Sequence, residues 1–151
     1  MNITIKQLTA ADLTQFKQML LLFANVFEMH DHKMPGEGHL KKLLNNENFI
    51  VYIALHENEM IGGLTAHVLP SCYAESSEVY IYDLAVKTSF QRKGAGKKLL
   101  QVLTEYCGKN NCKGFFVQAD EADTHALEFY RSTGGSPKNV VHFNYETKKG
   151  A

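Results

Sequence analysis

The sequence predicts a mixed α/β (α+β) fold, a sheet with helices against its faces, and three observations carry that expectation. Strand-like runs at Ile3–Ile5, Phe49–Leu55 and Met60–Leu69 are interleaved with apolar residues at helical spacing, as in Leu13, Phe16, Leu20, Phe23 and Phe27. The run Val79–Val86 is β-branched, aromatic and apolar on both parities, the composition of a strand in the middle of a sheet. The order of elements reads β-α-α-β-β-β-α-β-α-β, which places helices between strands rather than after them.

Each element has a local reason. Thr9 offers an N-cap and Asp12, three residues on, comes close to a capping box, so a long helix starts there. Pro35 and two glycines make 31–38 a breaker region, after which Leu40, Leu43 and Leu44 mark a short helix. The polar turn His56-Glu57-Asn58-Glu59 joins two strands into an antiparallel hairpin, and Gly62-Gly63 marks a bulge or a close backbone approach. A second amphipathic helix runs from Gly94 to Gly108, burying Leu99, Leu100, Leu103, Tyr106 and Cys107. Gly114–Gln118 is a buried strand, and Asp123 caps a helix over Thr124–Ser132 that stops at Gly134-Gly135. Val140–Tyr145 reads as a last strand.

Length and composition narrow the function classes. A chain of 151 residues suits one domain over 1–151, and 44% apolar with 21% charged residues is ordinary for a globular protein. Sixteen basic and sixteen acidic residues leave no overall field to attract nucleic acid or an anionic membrane. Apolar stretches are too short to span a bilayer, no signal peptide is visible, and the expected location is the cytoplasm. Cys72, Cys107 and Cys112 lack CxxC spacing and are read as reduced thiols. His30, Asp31 and His32 lack a ligand pattern, so they read as a solvated loop and no metal site is expected.

Chemistry concentrates where strand Val79–Val86 passes through a polar turn into Gln91-Arg92-Lys93-Gly94-Ala95-Gly96 and a helix. A helix N-terminus leaves N–H groups unpaired and carries partial positive charge. Glycines let an anion approach those donors, while Gln91, Arg92, Lys93 and Lys97 add polar or cationic contacts. A P-loop would need glycine at 91 and a hydroxyl residue at 98, where the chain has Gln91 and Lys98. A dinucleotide fingerprint would need glycine at 99, where Leu99 stands. Alone, then, the segment specifies an anion site, and a tight strand-to-helix turn is the competing reading.

The segment resembles the Gln/Arg-x-x-Gly-x-Gly/Ala signature of the GNAT superfamily of acyl-CoA N-acyltransferases, through Gln91, Gly94 and Gly96. A second family element is similar in register: Asp123, Ala126, Tyr130 and Gly134, with Asp123 where the family usually has asparagine. The stretches Glu78–Val86, Val68-Leu69-Pro70, Val117–Asp120 and Val141-His142-Phe143 look like the aminoglycoside 3-N-acetyltransferase branch. The resemblance implies a mostly antiparallel sheet of six to seven strands with a splayed parallel central pair, Val79–Val86 and Phe115–Gln118. It implies acetyl-CoA as cofactor, held by Leu84, Ala85 and Val86 on the pantetheine, by 91–97 on the pyrophosphate, and by Asp123, Ala126 and Tyr130.

Two catalytic roles follow from the resemblance. Tyr130 would protonate the departing thiolate; on periodicity alone it would be a core aromatic. Asp83, a carboxylate in an apolar strand, would take the amine proton or bind the cationic amine, an ion pair being the alternative. Tyr82, Asp120, Glu121 and Asn144 complete the expected substrate set. Acidic walls suit a polycation such as an aminoglycoside. Asn144 replaces an aspartate of that branch, so drug resistance does not follow from the likeness. A polyamine or other small-amine acetyltransferase, and a non-catalytic acyl-CoA-binding module, are the alternatives. A nucleic-acid binder through Arg92, Lys93, Lys97 and Lys98 lacks aromatic-basic interleaving. A homodimer is compatible with the resemblance but no residue pattern specifies it.

Overall fold

The structure, a computed structural model, describes residues 1–148. The chain divides into two compact units, Met1–Gln118 and Ala119–Ala151, taken here in turn.

In the first unit, Lys6 on strand β1 (Thr4–Gln7) reaches Asp12 at the start of the following helix. Thr9 and Asp12 form the capping box: the Thr9 N–H donates to Asp12 Oδ2 at 2.8 Å and the Ala11 N–H to Thr9 Oγ1 at 3.3 Å. One 3₁₀ turn, Ala10–Asp12, then feeds α1 (Leu13–Val26). Helix α2 (Glu37–Leu44) follows the breaker loop. Strands β2 (Phe49–His56) and β3 (Glu59–Pro70) join through Glu57 and Asn58, both at positive φ, as a two-residue hairpin requires. Strand β4 (Ser77–Val86), helix α3 (Ala95–Lys109) and strand β5 (Cys112–Val117) complete the unit. The sheet runs β1-β2-β3-β4-β5, antiparallel through β4, with β4 and β5 parallel.

Side-chain alternation divides the core between two helical layers. Val51, Ile53 and Ala85 pack with Phe16, Met19 and Phe23 of α1 and Leu40 of α2. The intervening Tyr52 lies beside Tyr106 and Cys107 of α3, and burial pushes its phenol up to about 12. The two glycines of β3 serve these two layers separately. A Cβ at Gly63 would lie 2.6 Å from Met19 Sδ, and one at Gly62 would lie 2.7 Å from the Ala85 carbonyl oxygen. A bulge next to Gly62 shifts the β2–β3 register between Ala54 and Leu55, so both expected features are present. Because the atom facing Gly62 is backbone of β4, Gly62→Ala is expected to destabilise by about 1–3 kcal/mol. A lower urea midpoint at unchanged m-value is the check.

The second unit contains α4 (Thr124–Ser132), capped by Asp123, whose carboxylate accepts from the Ala126 N–H at 3.1 Å. Its end is a Schellman motif: the Gly135 N–H donates to the Tyr130 carbonyl at 2.8 Å, with Gly134 at φ +97°. The expected strand Val140–Tyr145 is not formed. Residues 135–148 are neither helix nor strand, and Val140, Val141, Phe143 and Tyr145 are exposed. Strand propensity needs a partner ladder, and among the described residues none pairs with this segment. Among the described residues the sheet therefore has five strands rather than six or seven. No helix among the described residues is long and apolar enough to cross a membrane.

Candidate active site

Strand β4 is the organising element. Its ladder with β3 pairs Thr65 with Asp83 and Ala66 with Ile81, which leaves Tyr82 as an extra residue in a bulge. Tyr82 and Asp83, adjacent in sequence, consequently serve one cavity of about 200 Å³. Thr65 and His67 of β3, Phe49 of β2, and His32 and His39 from the breaker loop and α2 share its wall. Among the described residues Asp83 is the only carboxylate that lines it. Burial pushes its carboxyl up from the usual range, partly offset by the Thr65 hydroxyl beside it. His32 departs from the solvated-loop expectation: it is half-buried, and its Nε2 is enclosed with no hydrogen-bond partner. A larger cavity of about 450 Å³, between α1 and the β2–β3 turn, is lined by amides and Lys87 but no carboxylate. Among the described residues it offers no carboxylate that could accept an amine's proton.

Beyond the last β4–β5 pair, Ile81 with Val117, strand β4 continues to Val86 while β5 ends. In an antiparallel ladder alternate residues turn their N–H and C=O away from the partner. Along Leu84, Ala85 and Val86 those outward groups run past the end of β5, a backbone edge matched to the amides of a pantetheine arm. The loop that follows is shaped by left-handed residues, Arg92 at φ +62° and Gly94 at φ +95°. Gly94 gives α3 no side-chain cap, and a Cβ there would meet nothing within 4 Å. The first N–H groups of α3, at Ala95, Gly96 and Lys97, thus start a helix whose donors suit a pyrophosphate. The Gln91 side chain donates instead to the Val86 carbonyl at 3.1 Å, tying the loop to the end of β4. Lys93 lies over the Phe90 ring at 5.6 Å, and Lys98 donates to the Ile3 carbonyl, away from this turn.

The remaining expected residues lie in the second unit. Asp120 accepts from the Ala122 N–H at 3.0 Å, and Asp123 caps α4, so both carboxylates have local structural partners. Glu121 is exposed. Ala126 and Tyr130 are half-buried on one face of α4, and Tyr130 meets Phe129 edge-on at 5.1 Å. Asn144 accepts from His142 at 2.9 Å. Sequence reasoning missed Thr65, His67, His32 and His39. Only the parity of Thr65 and His67 on one strand hinted at a shared face.

Known proteins match this architecture. Residues 14–134 match the model of the acetyltransferase (GNAT) family. An uncharacterized N-acetyltransferase of Bacillus subtilis (strain 168), YhfO, is 24% identical over 130 residues, covering 86% of this chain and 87% of that protein. The aminoglycoside acetyltransferase meta-AAC0020, from an uncultured soil metagenomic sample and crystallised with sisomicin, is 46% identical with a TM-score of 0.94 over 97% of both chains. A second soil metagenomic aminoglycoside acetyltransferase, HMB0005, is 31% identical at a TM-score of 0.92, over 98% of this chain and 100% of that one. With β4 running on past the end of β5 into an uncapped, glycine-opened helix, and a family match spanning most of its length, the chain belongs to the GNAT acetyltransferases and uses acetyl-CoA.

Proposed function

We propose that the protein acetylates a primary amine of a small cationic acceptor, an aminoglycoside at its 3-amino group first among candidates, by direct attack in a ternary complex. The observation that carries this reading is Asp83, the one carboxylate among the described residues lining its cavity, on the strand whose next residues run past the end of β5. The 46% identity to an aminoglycoside acetyltransferase supports the acceptor class. Bound acetyl-CoA supplies a thioester whose C–S bond breaks as the new N–C bond forms. Asp83 holds the cationic amine and takes its proton, and its raised pKa makes it a stronger base than an exposed carboxylate. A backbone N–H of Leu84, Ala85 or Val86 steadies the negative charge on the carbonyl oxygen. Tyr130 gives its phenolic proton to the departing thiolate; the nitrogen sheds its second proton to solvent as the amide forms, and solvent returns one to the phenolate. Arg92, Lys93 and Lys97 supply positive charge around the pyrophosphate.

The test is calorimetry with acetyl-CoA followed by CoA release across aminoglycosides and polyamines. Aminoglycoside turnover with the acetyl group on the 3-amine is expected. Turnover of polyamines alone would displace that acceptor, and acetyl-CoA binding without any turnover would leave a regulatory module. A homodimer is part of the same reading, supported by the exposed Val140, Val141, Phe143 and Tyr145. Sedimentation velocity giving a monomer at micromolar concentration would remove it.

A further inference from the structure

The Asp83 cavity is too small for a whole multi-ring acceptor. Its 200 Å³ lies below the roughly 300–1,000 Å³ typical of sites that enclose drug-sized ligands. Whatever delivers its amine to Asp83 must therefore extend outside, and the sheet has a ready floor for it. Phe49, His67, Tyr80 and Phe116 are cross-strand partners in successive pairs, so their rings form one row over four strands. Phe49 and His67 lie 5.0 Å apart, and Tyr80 stacks on Phe116 at 4.9 Å with 16° between the planes. The bulge residue Tyr82 bridges the two halves, 6.0 Å from both His67 and Tyr80. Tyr82 lines the cavity at one end of the row yet is 64% exposed, and Phe116 at the other end is 39% exposed. The Tyr80 hydroxyl donates to Gln118 Oε1 at 2.9 Å, fixing the middle ring. Tyr82 and Phe116 thus leave aromatic surface exposed to solvent and continuous with the Asp83 cavity.

We propose that Tyr82, Tyr80 and Phe116 form a second acceptor subsite, which takes the non-reacting rings of a ring-bearing polycation whose amine occupies the Asp83 cavity. This rests on the acceptor class proposed above and adds the residues that would select multi-ring over single-ring or linear amines. Ring faces carry negative quadrupole potential, so they attract ammonium groups and the polarised C–H bonds of an amino sugar, while charge steering remains with Asp83. Occupancy of the row would order the acceptor before reaction and lower KM without touching the proton transfers.

Steady-state kinetics with tobramycin, which has three rings, and 2-deoxystreptamine, its central ring alone, test this. For Tyr82→Ala and for Phe116→Ala, kcat/KM for tobramycin relative to 2-deoxystreptamine is expected to fall about fivefold, through KM. Tyr82→Phe, which keeps the ring, should hold that ratio within about twofold of the parent. Both side chains are substantially exposed, and a thermal melt of each variant confirms folding. An unchanged ratio in both alanine variants overturns the subsite while leaving the acceptor class standing. No turnover of either probe by the unaltered protein overturns the acceptor class, and the subsite with it.

Discussion

Asp83→Asn is expected to lower kcat/KM for the acceptor amine by about 10²–10⁴-fold, the range for loss of a positioned general base. The substitution keeps the shape of the side chain and its place beside Thr65, so the loss reports chemistry rather than packing. It also separates two roles. If Asp83 mainly binds the ammonium group, KM rises; if it mainly removes the proton, kcat falls at saturating acceptor. Because burial raises its pKa, activity in the parent should fall with acidification at a pH above the ordinary aspartate value near 4. That acidic limb should be missing from the residual activity of the variant. Stability moves the opposite way. A carboxyl whose pKa is raised in the folded state binds its proton more tightly folded than unfolded, so its ionisation destabilises the fold as pH rises through that raised value. At neutral pH the asparagine variant should therefore melt higher, by about 2–4 °C for each kcal/mol relieved. Near-parental turnover, with acceptor affinity intact, would remove both catalytic roles.

Gly94→Val is expected to weaken acetyl-CoA binding by about tenfold or more while leaving a folded protein, a change of at least 1.4 kcal/mol. Two effects converge. At φ +95° an L residue is strained by roughly 1–2 kcal/mol, so the turn relaxes and the first N–H groups of α3 lose their aim. A Cβ at this position would meet nothing within 4 Å, so the added side chain extends from the turn into the space before the first N–H groups of α3. Calorimetric titration with acetyl-CoA measures the loss, and a melting temperature lowered by no more than the several degrees that this strain accounts for shows that it is local. An unchanged dissociation constant would separate this turn from the donor.

These two positions also mark where the sequence was readable. Thr9 with Asp12, and Gly134 after α4, act over three or four residues, so their chemistry is visible in the order of the letters. Gly94 and the glycine pair at 62–63 announce themselves for the same reason, though only the register shows that Gly62 faces the backbone of β4 and Gly63 faces Met19. The wall around Asp83 was not readable. His32 looks like one more polar loop residue until α2 and β3 close around the cavity. Gln91 illustrates a subtler limit: its motif position is plain, but its side chain spends its donor on Val86. Val140–Tyr145 has a strand's composition without a partner to pair with, which composition cannot reveal.

The extra residue in β4 has a consequence for how such strands change over time. Up to Ile81 the odd-numbered residues turn from the aromatic row; after Tyr82 the odd-numbered Asp83 and Ala85 turn toward α1 and its cavity. One inserted residue is a phase switch that lets a single strand obey two opposite alternations. Among descendants of this sequence, a one-residue length change at this point would not be a harmless gap. It would decide whether a carboxylate and an aromatic neighbour can occupy consecutive positions and still line the same cavity.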